Sequence, residues 1–221
     1  MKKFSAYFSI GNVFFALYAV FFVGLAIILL LVSKAELHLW LNRWNNPFLD
    51  KFFFYVTQLG HGLFVMLVVV ILLFSRYRYA LGVFVTFALS GIMAQLLKHI
   101  FDLPRPVKYF EKMADLHLVE GVKLLTSHSF PSGHAASAFA LCLSLAIILK
   151  KCGWQVLMFL LALVIAYSRV YLSQHFMVDI WVGSAIGILV GAFYWYYESK
   201  LQWHWLDDSL LRRKTQKQSN N

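Results

Sequence analysis

Three short polar segments interrupt an otherwise apolar sequence, and their residue types could bind and cleave a phosphate ester. They read KHIFDLPRP from residue 98, PSGH from residue 131 and SRVYLSQHFMVD from residue 168. Between them they supply lysine and arginine cations, histidine rings, and an aspartate that follows one of the histidines by four residues. Because each segment adjoins a predicted membrane span, we expect the three to meet at one membrane face.

The cations Lys98, Arg105 and Arg169 indicate an anionic ligand. A charged side chain at the centre of a bilayer costs roughly 2.5 to 3.5 kcal/mol on insertion scales, so a cluster of them requires negative charge nearby. Asp179 alone cannot offset them. The planar fork of an arginine guanidinium matches the oxygens of a phosphate group. These residues therefore predict a phosphate-binding site.

The PSGH segment predicts the start of a helix that binds an anion. Pro131 suits the first turn of a helix, where a backbone N–H has no partner in any case. Ser132 and Gly133 would then present backbone N–H groups at the helix N-terminus. Hydrogen bonds and the helix dipole both stabilise an anion at that position.

Two histidines supply the chemistry that the cations lack. His175 and Asp179 are four residues apart, so on a helix they share a face, and the carboxylate can accept the proton of one ring nitrogen. The other ring nitrogen keeps its lone pair and can attack as a nucleophile. His134 comes from a different segment and can donate a proton to a leaving-group oxygen. Together with the cations, these residues predict phosphoryl transfer through a covalent phosphohistidine.

Six apolar stretches position these segments in the predicted fold. The chain has 221 residues, of which 61% are hydrophobic and 14% are charged, and about 20 apolar residues span a bilayer core. The predicted fold class is all-α, a polytopic membrane protein with six transmembrane helices in a bundle and the active site at the outer membrane face. We expect one domain over residues 1–221, with a catalytic core over 98–179 and a cytoplasmic tail over 198–221. The predicted spans are 13–32, 52–74, 79–97, 133–149, 153–171 and 178–197.

The distribution of basic residues predicts the orientation of the chain. With an even number of spans, both termini lie on one side, and that side holds more than half of the 20 lysines and arginines. The positive-inside rule then predicts that the chain lies in the cell (inner) membrane with both termini in the cytoplasm and the active site facing the periplasm or the exterior. The formal net charge of +10 is spread over loops and the tail. It therefore indicates a bilayer and an anionic lipid as partners rather than nucleic acid.

The three segments resemble the signatures of the type 2 phosphatidic acid phosphatase family, which shares its core with the vanadium haloperoxidases. All eleven positions of these signatures are present in order between residues 98 and 179. The resemblance implies an integral-membrane lipid phosphatase that requires no metal and no other cofactor. It implies that His175 is the nucleophile, that His134 is the general acid, and that Asp179 orients a catalytic histidine. It also implies five phosphate ligands, which are Lys98, Arg105, Ser132, Gly133 and Arg169.

The residues alone leave several alternatives open. Lys98 and Arg105 could extend to the membrane interface without binding a ligand. His175 and Asp179 could form a structural hydrogen bond. The chain could also bind or transport a lipid phosphate without cleaving it, or oxidise halides with bound vanadate. The substrate could be a polyprenyl pyrophosphate, a phosphatidate-type lipid or a lipid A-type lipid, because the motifs recognise only phosphate, and the oligomeric state stays open.

Overall fold

The architecture is a bundle of helices. The computed structural model describes residues 2–201 and 203–211, with side chains from residue 12 onward. Within these ranges every regular element is a helix, which confirms the predicted all-α class. Of the predicted tail, residue 202 and residues 212–221 lie outside the described residues.

The helices follow one another through short connections, apart from one long irregular segment over residues 111–132. Two 3₁₀ turns, Thr57–Gly60 and His204–Asp207, complete the set. The α-helices are α1 (Lys2–Leu31), α2 (Lys34–Asn42), α3 (Pro47–Val56), α4 (Gly62–Leu73), α5 (Tyr77–Phe101), α6 (Pro106–Phe110), α7 (Gly133–Leu149), α8 (Cys152–Tyr171) and α9 (Met177–Glu198).

Several of these helices are long and apolar enough to cross a bilayer. Four stretches meet that condition singly, and α3 and α4 together make a fifth if the bent pair counts as one span. The helix α7 has only 17 residues and falls below that length. The bundle is therefore that of a multi-pass membrane protein. The four single stretches are Asn12–Leu31, Tyr77–Phe110, Cys152–Tyr171 and Met177–Glu198.

The second predicted span, 52–74, is wrong as a continuous helix. Its helical axis bends by 55° where α3 ends and α4 begins. His61 lies between Gly60 and Gly62, adopts an extended backbone, and uses Nδ1 to accept the N–H of Leu63 at 3.4 Å. Glycines weaken a helix and a side-chain acceptor starts a new one, so the chain breaks at this position.

The helix α7 forms the buried centre of the bundle, with α5, α8 and α9 packed around it. Gly183, Gly187 and Gly191 recur every four residues on the face of α9 that meets α7. A Cβ atom at Gly183 would lie 2.4 Å from the carbonyl oxygen of Ser132, so only glycine permits this approach. Small residues at such spacing are typical of close helix pairs in membranes. The packing brings PSGH directly against the start of α9.

The polar segments all lie at one end of the bundle, which we call the site end. The N–H of Ser132 donates to the carbonyl oxygen of Asp179 at 3.0 Å, and the ammonium group of Lys98 donates to the carbonyl oxygen of His128 at 2.9 Å. The opposite end carries the start of α5 and the end of α9, where Arg78 meets Glu198.

Candidate active site

The first polar segment reaches the third through a direct contact. Arg105, which precedes α6, places Nη1 3.3 Å from Nε2 of His175. The backbone bond between Ser132 and Asp179 joins the second segment to the third. The tertiary structure thus brings together residues that are as far as 81 positions apart in the sequence.

The central pair of the site is His175 and Asp179, both almost completely buried. Nδ1 of His175 lies 3.2 Å from Oδ2 of Asp179. Because a carboxylate only accepts, Nδ1 carries the ring proton and Nε2 keeps its lone pair. Burial lowers the pKa of His175 to about 3, although Asp179 acts in the opposite direction. The ring is therefore neutral at physiological pH, as a nucleophile must be.

The pair does not form along one helix face as the sequence predicted. His175 lies in the turn between α8 and α9, and Asp179 lies in the first turn of α9. Oδ2 of Asp179 accepts the N–H of Phe176 at 2.9 Å, so the carboxylate also satisfies a backbone donor at the helix start. The turn geometry therefore replaces helical periodicity in aligning the two side chains.

Ser129 is a site residue that the sequence analysis missed. Its hydroxyl donates to Oδ2 of Asp179 at 2.5 Å, and its side chain is buried. That oxygen thus accepts three hydrogen bonds, from Ser129, from Phe176 and from the ring of His175. Ser129 lies two residues before Pro131, but a serine outside the PSGH motif carries no signal of its own.

Arg105 is held by backbone oxygens. Its Nε donates to the carbonyl oxygen of Ser127 at 2.9 Å, and Nη1 donates to that of Gln174 at 3.0 Å. Nη2 lies 3.4 Å from the carbonyl oxygen of His128, the same atom that accepts from Lys98. Two of the three predicted cations therefore converge on one carbonyl group.

Arg169 depends on the break between α3 and α4. Its Nη1 donates to the hydroxyl of Thr57 at 2.9 Å, while its buried Nε has no partner among the described residues. Thr57 lies in the 3₁₀ turn that interrupts the second span. The sequence analysis missed this contact because a single threonine in an apolar stretch predicts nothing specific.

The charges of the site are unbalanced in favour of an anion. Within the described part of the chain, no carboxylate forms an ion pair with Lys98, Arg105 or Arg169. The same residues contain no group of three or more His, Cys, Asp or Glu side chains placed to hold a metal ion. A cluster of cations with one carboxylate suits a phosphate group.

The start of α7 leaves room for such a group. A Cβ atom at Gly133 would meet nothing within 4 Å, so open space adjoins the helix N-terminus. The hydroxyl of Ser132 accepts the N–H of Ala135 at 3.3 Å and so caps the helix. The backbone N–H of Ser132, which the sequence analysis offered to the anion, already donates to the carbonyl oxygen of Asp179. The predicted contact of Ser132 with a phosphate would therefore come from its O–H group, which is still able to donate.

His134 lies in the first turn of α7, partly buried against the break in the second span. A Cβ atom at Gly60 would lie 3.2 Å from Cδ2 of His134, so glycine makes room for the ring. The ring of His61 is 6.2 Å away, centroid to centroid. His134 also lies within electrostatic reach of His175 and Arg169. The structure therefore brings the predicted general acid to the same cluster as the predicted nucleophile.

A comparison with known protein families shows which family this chain belongs to. The sequence profile of the PAP2 superfamily matches residues 79–203, which is more than half of the chain. The chain belongs to the PAP2 superfamily. The matched PAP2 region contains all three polar segments, so the family predicted from their spacing is confirmed.

Relatives within the PAP2 superfamily include lipid phosphatases. A dihydrosphingosine 1-phosphate phosphatase of Schizosaccharomyces pombe is 30% identical over 167 residues, which cover 69% of this chain and 39% of that protein. The chain therefore spans about two fifths of the length of that relative. A lipid A 4'-phosphatase of Bacteroides thetaiotaomicron is 27% identical over 173 residues, which cover 75% of this chain and 77% of the relative.

The fold is similar to that of a solved structure. The crystal structure of LpxE from Aquifex aeolicus superposes with a TM-score of 0.66 and 31% sequence identity. The alignment covers 73% of this chain and 94% of that protein.

Proposed function

We propose that this chain is a membrane lipid phosphatase that acts on a lipid phosphomonoester or pyrophosphate through a phosphohistidine at His175. One observation carries the proposal: His175 is buried and neutral, and its Nε2 faces a cluster of cations with which no carboxylate among the described residues forms an ion pair. Membership of the PAP2 superfamily and the lipid phosphatases among the relatives support the same activity.

In the first half of the reaction, Nε2 of His175 attacks phosphorus in line with the bond to the leaving oxygen. A new N–P bond forms as the P–O bond to the lipid breaks. Lys98, Arg105 and Arg169 stabilise the charge on the equatorial oxygens. His134 donates a proton to the departing lipid oxygen.

In the second half, water cleaves the phosphohistidine. His134 now accepts a proton from the attacking water, and inorganic phosphate leaves with Nε2 of His175 free again. Asp179 keeps the proton on Nδ1 throughout and stabilises the charge that the ring acquires. The cations and histidines supply all of these steps, so we propose that the reaction needs no metal.

Arg105 connects the binding of the substrate phosphate to the attack by His175. Its Nη1 lies 3.3 Å from Nε2 of His175, where its N–H group engages the lone pair that must attack. Phosphate oxygens are charged acceptors and compete for the guanidinium more strongly than a neutral ring nitrogen does. Substrate binding would therefore draw Arg105 onto the phosphate and free the nucleophile.

We also propose the number of membrane spans and the orientation of the chain in the membrane. We propose one domain over residues 1–221 with six spans, which are the four single stretches, the bent pair of α3 and α4, and the 17-residue apolar helix α7. We further propose an inner-membrane location, with termini in the cytoplasm and the site end facing the periplasm or exterior, as the basic residues indicate. Accessibility of a single cysteine introduced at Lys112 or at Arg76 to a membrane-impermeant reagent would test this orientation.

A lipid A-type phosphate is the substrate that we propose to test first. The lipid A 4'-phosphatase of Bacteroides thetaiotaomicron matches over three quarters of both chains, whereas the sphingoid phosphatase matches over two fifths of its own length. Phosphatidate-type lipids and polyprenyl pyrophosphates are the other members of the panel.

The decisive experiment measures phosphate release by detergent-purified protein from that panel, with EDTA present, beside His175→Ala. Loss of the nucleophile should lower kcat by about 10,000-fold or more in a protein that still folds and unfolds cooperatively. Substantial release by the variant contradicts the phosphohistidine. Lipid binding without release by the wild type favours a binding protein or transporter, and loss of release in EDTA contradicts the metal-free reaction.

A further inference from the structure

One buried amide at the site end has no role in the family signatures. Gln174 is 1% exposed, and its Oε1 lies 3.4 Å from Nη1 of Arg105 and 3.5 Å from Nη2 of Arg169. Its backbone carbonyl also accepts from Arg105 at 3.0 Å. A single neutral residue therefore bridges the two arginines that we assign to phosphate.

The other end of the amide fixes its orientation. Nε2 of Gln174 donates to the carbonyl oxygen of Lys123 at 3.3 Å. Because that carbonyl can only accept, the NH₂ group faces Lys123 and the amide oxygen faces the arginines. Lys123 belongs to the irregular segment 111–132, so Gln174 also connects that segment to the catalytic turn.

We propose that Gln174 is a positioning residue that holds Arg105 and Arg169 in place at the phosphate site and ties the segment 111–132 to them. This inference rests on the proposed function, since it needs both arginines as phosphate ligands. Two guanidinium groups repel each other, and an amide oxygen between them offsets that repulsion with a partial charge only. An incoming phosphate can displace such a weak acceptor.

The neutrality of the amide is the testable feature. A carboxylate at this position would form charge-assisted hydrogen bonds with both arginines and would imitate the substrate phosphate. Gln174→Glu, which keeps the shape of the side chain, should therefore compete with phosphate inside the site. Gln174→Met removes the bridge without adding charge, so it should loosen the arginines but leave the site open to phosphate.

The experiment measures binding and turnover separately. Stabilisation of the purified protein by inorganic phosphate, followed by thermal unfolding, reports binding without catalysis. We expect Gln174→Glu to weaken the apparent phosphate affinity by about 10-fold or more, and Gln174→Met by about 3-fold. The loss in kcat/KM of Gln174→Glu should appear mainly in KM, because the carboxylate blocks binding rather than chemistry.

Gln58→Glu is the matched control, because it adds the same charge at an exposed position of the 3₁₀ turn Thr57–Gly60. We expect it to bind phosphate as the wild type does. Phosphate affinity of Gln174→Glu within about 2-fold of the wild type would overturn the proposal, as would equal losses in the Glu and Met variants. If Gln174→Glu does not fold, an unchanged affinity in Gln174→Met overturns it.

The result also separates this inference from the proposed function. A wild-type protein that binds phosphate but releases none from lipids refutes the phosphatase, while the two Gln174 variants still report on the arginines. An active wild type with unaffected variants refutes only the role of Gln174.

Discussion

Arginines lie at both ends of the bundle, but carboxylates neutralise them at only one. At the opposite end, Arg78 forms ion pairs with Glu198 and Asp207. At the site end, Arg105 and Arg169 meet only neutral oxygens and a neutral ring within the described residues. An arginine with matched carboxylates holds helices together, whereas one with neutral partners remains available to an anion.

Removing an arginine should therefore have a different effect at each end of the bundle. Glu198 is 2% exposed, so without Arg78 its charge would stay buried and unpaired. Removing one partner of a buried pair costs about 3–5 kcal/mol of stability. Removing Arg105 or Arg169 leaves no such carboxylate among the described residues, and in the proposed reaction it takes away a charge that stabilises the transition state.

Replacing an arginine by alanine at each end of the bundle should give the largest difference, in activity at the site end and in stability at the opposite end. Arg169→Ala should lower kcat/KM by about 100-fold to 1,000-fold, because one donor to the transferred phosphoryl group is lost. Its thermal unfolding should change little, since the hydrogen bonds that disappear, to Thr57 and Gln174, are made to neutral oxygens and no carboxylate loses an ion-pair partner among the described residues. Phosphate release and thermal unfolding in detergent measure the two effects.

Arg78→Ala is the matched variant at the opposite end. It should be destabilised by about 3–5 kcal/mol, while kcat/KM of the folded fraction stays within about 3-fold of the wild type. The double variant Arg78→Ala with Glu198→Gln should recover part of the stability. If both alanine variants lost activity and stability alike, the distinction between the two ends would be wrong.

A smaller effect is expected from the hydroxyl that positions Asp179. Ser129→Ala removes one of three hydrogen bonds on Oδ2, so we expect kcat to fall by about 10-fold, which corresponds to the net value of one bond to a charged group. Ser129→Thr should restore most of the activity because it keeps the hydroxyl. A purely structural role for Ser129 would lower stability and leave the pH profile of kcat unchanged.

Ser199→Ala serves as the control for that variant. The hydroxyl of Ser199 donates to the carbonyl oxygen of Tyr196 at 2.7 Å, close to the opposite end. Its removal should leave both kcat and the pH profile as in the wild type. Equal losses in the two alanine variants would contradict a specific role for Ser129.

The smallest expected effect concerns His38, which packs between the rings of Phe110 and Phe176 at 5.7 and 5.3 Å. Burial lowers the pKa of His38 to about 4, although Asp179 acts in the opposite direction. The folded pKa lies below the unfolded value of about 6.5, so protonation favours unfolding. The stability that this histidine contributes is complete above pH about 6.5 and falls as the pH drops towards 4.

We therefore expect His38→Leu to lose less thermal stability than the wild type between pH 7 and pH 5. His175 also has a lowered pKa and remains in both proteins, so the difference between them isolates His38. Thermal unfolding in detergent at the two pH values measures it. Identical pH dependence in both proteins would show that His38 is not buried in its neutral form.

Much of the candidate active site could be predicted from the sequence, because each of its motifs is recognised from residues close together in the chain. Lys98, Arg105 and Arg169 are charges that together favour an anionic ligand beside a bilayer, and PSGH has the residue types of a helix start. Three of the six predicted ranges, 133–149, 153–171 and 178–197, agree within one residue with the bounds of α7, α8 and α9, because the length and apolarity of a helix depend only on its own residues. The local signals were sufficient to predict the family and to suggest the class of ligand.

The contacts that position the catalytic groups depended on the tertiary structure. Thr57 meets Arg169 across 112 positions and Ser129 meets Asp179 across 50, and neither residue type carries a signal of its own. The break at Gly60 matters because the ring of His134 packs against it, and the amide of Gln174 matters because Arg105 lies beside it. Neither contact can be predicted from the sequence. The sequence alone therefore determined which chemical groups are present and which ligand they suit. The packing of α7 against its neighbours decided how those groups are held, because hydrogen bonds between distant residues follow from proximity in space and not from spacing along the chain.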